Sequence, residues 1–260
     1  MKSSSKCRHL RCGPVLIGLL ALTAPVACMG GAQADSVTSR PDQACVVLLH
    51  GLARTHRSMH KMAAALQQAG YRTFNMDYPS REFTIEHLAM QVIPEALRQC
   101  RSTSCNTIHF VTHSMGGILV RYYLSQHPIE RLGRVVMLSP PNQGSEAVDA
   151  LRENAFFRWF NGPAGRQLGT GPEDIGASLG PVDYPVGVIT GNVHAFFDHW
   201  LANIIPGADD GKVSVQRAKV EGMSDFLALS CSHAFIMNQA EVIAQTLYFL
   251  ENGSFRRVRR

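Results

Sequence analysis

The sequence predicts an α/β protein with about six mainly parallel strands, helices on both faces and a small cap-like insertion. Three observations carry this. Short apolar runs alternate with helical patterns along most of the chain, as in a parallel sheet with crossover helices. The first run, Cys45-Val46-Val47-Leu48-Leu49, is apolar without a break, which suits a strand buried on both faces. The chain of 260 residues is 45% apolar and 17% charged, a composition that excludes disorder and allows one sizeable core.

The elements follow in order. The first strand occupies 45–49, and a helix over about 59–69 stops at Gly70. A strand at 72–76 precedes a helix at 85–99 that contains Pro94, where a kink is expected. The third strand, 107–112, runs into Ser114, and a helix starts at once and continues to about 126. Strands follow at 134–138, 186–190 and about 227–230. The last helix, 235–250, sets Ile236, Ala240, Ile243, Leu247 and Leu250 at helical spacing. About 45 residues separate the fourth and fifth strands, too many for a plain crossover. Their first half places Val148, Leu151, Ala155, Phe156, Trp159 and Phe160 on one helical face. Phe156, Trp159 and Phe160 are therefore candidates for a substrate-pocket wall or lid, against packing on the core. Residues 162–185 are rich in Gly and Pro and read as irregular loop. The insertion as a whole spans about 145–183.

The net charge of +5 has a narrow origin. Residues 1–34 hold Lys2, Lys6, Arg8 and Arg11, no acid, and the apolar stretch Val15-Leu16-Ile17-Gly18-Leu19-Leu20-Ala21-Leu22. A basic start, an apolar centre and the small-residue end Ala32-Gln33-Ala34 are the pattern of a secretory signal peptide, with cleavage expected after Ala34. A retained anchor is the rival, against which Pro25 and Gly30-Gly31 break the run. Lipidation at Cys28 is a weaker third reading. The mature domain is then 35–260, periplasmic or secreted. Arg256, Arg257, Arg259 and Arg260 hold four more positive charges, so the body between the two clusters is slightly acidic. A nucleic-acid footprint is unsupported. The terminal arginines offer at most a weak contact to anionic lipid, and a monomer is expected.

Cys100 and Cys105 bracket a short loop and are the disulfide candidates, since in an oxidising compartment these two could pair. Cys45 and Cys231 read as small buried residues at strand ends. No CxxC or Cys/His pair has zinc spacing. His56 with His60, and His194 with Asp198 and His199, have metal-capable spacing, but packing roles are favoured and no metal is assigned.

The chemistry concentrates at Thr112-His113-Ser114-Met115-Gly116-Gly117. A strand entering a serine, followed at once by a helix, is the context of a nucleophile elbow, although Thr112 stands where the pattern has Gly. A second feature is His50-Gly51-Leu52 after the first strand. An oxyanion needs two N–H donors, and the backbones of Leu52 and Met115 are the candidates. A serine nucleophile also needs a base and a carboxylate, in the order Ser, acid, His. Asp210 in Ala208-Asp209-Asp210-Gly211 is the first choice of acid, with Asp209 and then Asp198 behind it. His233, before the last helix, is the base.

These residues resemble the α/β-hydrolase superfamily, most closely its small bacterial lipase/esterase-like branch. The resemblance rests on Leu48-Leu49-His50-Gly51-Leu52, Thr112-His113-Ser114-Met115-Gly116-Gly117, Leu138-Ser139-Pro140-Pro141-Asn142-Gln143-Gly144-Ser145, Asp210-Gly211-Lys212-Val213 and Ser232-His233. It implies a minimal α/β-hydrolase fold and a serine esterase without cofactor, acting on a small-molecule or lipid ester. It also implies catalytic roles for Ser114, Asp210 and His233. An acyltransferase using the same groups, or a non-catalytic envelope-binding module on the same scaffold, are the alternatives.

Overall fold

The computed structural model describes residues 43–196 and 204–257. In chain order its strands are β1 (Ala44–Leu49), β2 (Arg72–Met76), β3 (Thr107–His113), β4 (Leu132–Leu138), β5 (Val186–Gly191) and β6 (Asp225–Leu229). The helices are α1 (His60–Gln68), α2 (Ile85–Arg101), α3 (Met115–Gln126), α4 (Glu146–Leu151), α5 (Ala155–Arg166), α6 (Ile175–Ser178) and α7 (Ala240–Asn252). The signal-peptide residues 1–34, together with Phe197, Asp198, His199, Trp200, Arg259 and Arg260, lie outside the described residues.

β1 shows why the fold needs two helical layers. All six of its residues are buried. Cys45, Val47 and Leu49 enter one hydrophobic cluster with α2 and α3, while Ala44, Val46 and Leu48 enter another with α1 and α7. Alternating side chains with both faces apolar must be covered on both sides. The six strands are all parallel and lie in the order β2-β1-β3-β4-β5-β6. The chain leaves β1 toward β2 and then crosses to β3 on the other side. That reversal opens a crevice beyond the carboxyl ends of β1 and β3, where ligands bind in open α/β sheets.

The helices follow the expected pattern with local differences. α2 runs through Pro94 as one helix and buries Leu88, Val92, Ala96 and Cys100 along one stripe. The last helix is divided: a 3-10 turn at Ile236–Asn238 precedes α7, which ends on left-handed Gly253. The insertion is more structured than its composition predicts. Asn154 ends the first helical run and caps the next, its side chain accepting from Phe157 N at 3.0 Å. α5 kinks at Gly162, where φ is 64° and ψ −163°, and resumes at Pro163, and α6 adds a further turn where loop was expected.

The cysteine pairing differs from expectation. Cys100 is bonded to Cys45, with Cα atoms 6.3 Å apart, and Cys105 is a free buried thiol. Sequence proximity favoured the Cys100–Cys105 loop. Facing decided otherwise, because Cys45 and Cys100 point into the same cluster from β1 and from the last turn of α2. Of the terminal arginines, Arg257 donates to Asp225 Oδ1 at 2.5 Å, at the amino end of β6. That is the end of the sheet opposite the crevice.

One buried histidine makes the fold acid-sensitive. The β3–β4 ladder shifts register between Ile108 and Phe110, and His109 Nδ1 there accepts from Arg134 N at 2.8 Å. Burial, helped by the Arg134 charge, pushes the His109 pKa from 6.5 down to about 4. The unfolded chain therefore takes up a proton below 6.5 that the fold refuses until about pH 4. Stability falls across that window, by about 3 kcal/mol for this group. His109→Asn keeps an acceptor in place and removes the titration. Urea midpoints measured from pH 7 to pH 4 should then decline less steeply than those of the parent; parallel curves would show that His109 is not the group responsible.

Candidate active site

The crevice is built from the ends of β1, β3 and β6 and the loop that carries Asp210. Ser114 links β3 to α3 with φ 52° and ψ −124°, a conformation that L residues occupy only under constraint. Glycine makes the packing possible on each side. An ideal Cβ at Gly116 would lie 2.8 Å from Leu49 O and 2.9 Å from His50 O. At Gly51 it would lie 2.8 Å from His113 Nδ1 and 3.1 Å from Ser114 Cβ. The His50-Gly51-Leu52 turn is thereby pressed against the serine.

His233 follows β6 and faces Ser114. Its Nε2 is 3.0 Å from Ser114 Oγ, and its Nδ1 is 2.9 Å from Asp210 Oδ2. The two loops are also tied through the backbone, His233 N donating to Asp210 O at 2.9 Å. Asp210 is fully buried. Its other oxygen, Oδ1, accepts from Lys212 N and Val213 N at 3.0 and 2.9 Å. Burial works to raise the Asp210 pKa. The His233 imidazole, with the Ser139 and Val213 donors, outweighs it, and the carboxyl is held below its ordinary value. A buried carboxylate that stays ionised orients the imidazole and stabilises positive charge on it.

The structure separates the two adjacent acids. Asp209 points away to a different imidazole, His194 Nε2 standing 2.6 Å from its Oδ1, which also accepts from Gly211 N at 2.8 Å. His56 meets Asp77 at 3.2 Å. Among the described residues no group of three metal-type ligands converges.

A cavity of about 700 Å³ opens over Ser114 and His233. Leu52 and Val213 line it near the serine, and Val148, Leu151, Phe156 and Phe160 line it from the insertion. Of the three aromatic candidates, Trp159 lies outside this lining. Phe157, which the helical-face argument omitted, belongs to it.

A family model described as alpha/beta hydrolase fold matches residues 45–171. The chain has the alpha/beta hydrolase fold. The matched stretch contains Ser114, and Asp210 and His233 lie beyond it. A triacylglycerol lipase of Pseudomonas fragi is 28% identical over 123 residues, which cover 45% of this chain and 40% of that lipase. The aligned part is thus less than half of the lipase's own length. Among solved structures, the mature form of the Bacillus licheniformis lipase BlEst2 superposes with a TM-score of 0.63 at 19% identity, covering 81% of this chain and 93% of that one. Phospholipase PlaB from Legionella pneumophila gives 0.54 at 18% identity, over 68% and 45%. At these identities the likeness is one of fold.

Two residues that hold this arrangement escaped the sequence reading. His113 Nε2 is 3.0 Å from His233 O. A carbonyl only accepts, so Nε2 carries the proton. Complete burial, together with the nearby His233 and Arg54, holds the His113 pKa well below 6.5, and the ring stays neutral while it anchors the His233 backbone. Arg121 is the second. Its guanidinium donates to Asn142 O at 2.7 Å and Gly180 O at 2.6 Å, tying both ends of the insertion to α3. A signal for Arg121 was present in the sequence: it is the one charge in the otherwise apolar run Met115-Gly116-Gly117-Ile118-Leu119-Val120-Arg121-Tyr122-Tyr123-Leu124.

Proposed function

We propose that this chain is an exported serine hydrolase that cleaves carboxylic esters bearing an acyl or lipid-like chain. The observation that carries the proposal is the hydrogen-bonded line Ser114–His233–Asp210 at the floor of a cavity with an apolar wall. The lipase names of the relatives point the same way. Export is supported by the basic–apolar pattern of residues 1–34 and by the Cys45–Cys100 disulfide, since such bonds persist in oxidising compartments.

In this mechanism Ser114 Oγ attacks the ester carbonyl carbon as its proton passes to His233 Nε2. The negative charge that develops on the carbonyl oxygen is met by the N–H groups of Leu52 and Met115, and the α3 amino end adds positive dipole. The intermediate collapses, the C–O bond to the alcohol breaks, and His233 returns the proton to the departing alkoxide. Water then gives its proton to His233 and attacks the acyl-serine, releasing the acid and restoring Ser114. Throughout, ionised Asp210 keeps the proton on His233 Nδ1 and stabilises the imidazolium.

A fluorophosphonate probe tests this directly. It is expected to attach to the chain once, at Ser114, as located by peptide mass mapping, and to stop p-nitrophenyl butyrate turnover in step with labelling. Turnover that persists in fully labelled protein would overturn the proposal.

A further inference from the structure

The Ser114 cavity carries charge of one sign. Apart from its histidines, the charged side chains that line it among the described residues are Arg54 and Lys212, and no carboxylate joins them. The body of the chain is slightly acidic, so this bias is local. The acids of the insertion between 146 and 174 are turned elsewhere. Glu146 accepts from Arg217 at 2.8 Å, Asp149 from Thr170 Oγ1 at 2.6 Å, and Asp174 from Arg152. Glu153 and Glu173 line a separate cavity together with Arg152, Arg158 and Arg166.

Arg54 stands at the working end of the cavity. It follows the Leu52 turn, and one of its terminal nitrogens donates to Ala234 O at 3.2 Å, beside His233. That bond uses one donor of five and meets a neutral acceptor, so it leaves the guanidinium charge unbalanced. No carboxylate pairs with Arg54 among the described residues. The side chain is half-buried, and its charge is close enough to His113 to help keep that ring neutral. A charge so placed is screened less than one on the open surface. A cleft lined by one sign of charge gathers ligands of the other.

The cavity is also divided. Val148, Leu151, Phe156, Phe157 and Phe160 form an apolar wall from the insertion, and Arg54 lies with Ala234 on the His233 side. In ester cleavage the departing alcohol takes its proton from His233 Nε2, so it leaves on that side. The apolar wall is then free for the acyl part. A guanidinium presents paired donors that match the oxygens of a phosphate or a carboxylate.

We propose that Arg54 selects esters in which an apolar acid is joined to an alcohol that carries an anionic oxyacid group. The division into acyl and alcohol sides rests on the ester-hydrolase reading; the preference of the cavity for an anion does not. Butyrate monoesters of glycerol 3-phosphate and of glyceric acid, each set against glyceryl monobutyrate, name the anion. The larger preference marks it, and no preference in either pair would count against the proposal.

Two soluble esters of matched shape test the role of Arg54: 3-butanoyloxy-4-nitrobenzoate, which is anionic at neutral pH, and 3-butanoyloxy-4-nitrobenzamide, which is neutral. Their kcat/KM ratio is expected to fall about tenfold in Arg54→Met, mainly through KM, and to be largely kept in Arg54→Lys. The intrinsic reactivity of the two leaving groups is the same for every variant, so it cancels. High salt should lower the parent ratio. Mono-p-nitrophenyl glutarate, with its anion on the acyl end, should be a poorer substrate than p-nitrophenyl butyrate. Binding is read without turnover in full-length Ser114→Ala, where equilibrium dialysis should show the benzoate held about tenfold more tightly than the benzamide. Equal binding of the two esters, a ratio unmoved by Arg54→Met, or a preference for the glutarate would each overturn the proposal. If the fluorophosphonate experiment fails and neither ester turns over while the binding preference holds, only the esterase reading falls.

Discussion

Ser114→Ala is expected to lower kcat for p-nitrophenyl esters on the order of 10⁶-fold, and His233→Ala by a similar factor. The two losses should not multiply. Ser114 Oγ and His233 Nε2 share one hydrogen bond at 3.0 Å, and a nucleophile without its base, or a base without its nucleophile, leaves the same inert site. The double variant should therefore match either single variant, with residual turnover supplied by binding and the oxyanion donors. The measurement is kcat for both single variants and the double. Multiplicative losses would show that the two groups act in separate steps. Stability separates loss of chemistry from loss of fold. Ser114 sits at φ 52° and ψ −124°, where glycine is relaxed and alanine is as strained as serine. Ser114→Gly is thus expected to be more stable than Ser114→Ala by about 1 kcal/mol, while both are inactive.

The same geometry explains what could be read before any coordinates. Ser114 and His233 were legible because their signals are local. A strand running into His-Ser-Met-Gly-Gly and a helix beginning there leave few backbone paths, and Gly116 has to be small because β1 carbonyls approach it. The alternation of β1 likewise required two helical layers. Direction across space was not legible. Cys100 and Cys105 are close in sequence, yet Cys100 faces Cys45 across the core. The spacing of Phe156, Trp159 and Phe160 defined a shared face but not which way that face turns. The answer, outward for Trp159, lies in what holds the opposite side, half-buried Phe157 and the approach of Gly162 to the Arg81 carbonyl. The β3–β4 register shift at His109 left no trace in the hydrophobic pattern, because a buried neutral histidine occupies a strand position much as an apolar residue does.

Asp209 and Asp210 are the sharpest instance, since neighbouring carboxylates on one turn differ only in where their side chains point. Asp210→Asn is expected to lower kcat about 10⁴-fold. The reason lies in the backbone. Asp210 Oδ1 already accepts from Lys212 N and Val213 N. An amide at this position places its single oxygen against those two donors and turns its NH₂ toward His233 Nδ1. That nitrogen must then accept, which forces the imidazole proton onto Nε2, the atom that has to receive the Ser114 proton. The ring keeps its place but holds the wrong tautomer, so substrate binding should change little while kcat collapses. Asp209→Asn leaves the His233 partner untouched and loosens only the His194 contact. Its kcat should stay within about tenfold of the parent. Steady-state kinetics on the two variants, with KM and kcat resolved, decide between the acids. Equal losses would mean that the turn works as one unit, and a larger loss for Asp209→Asn would transfer the orienting role to the other carboxylate.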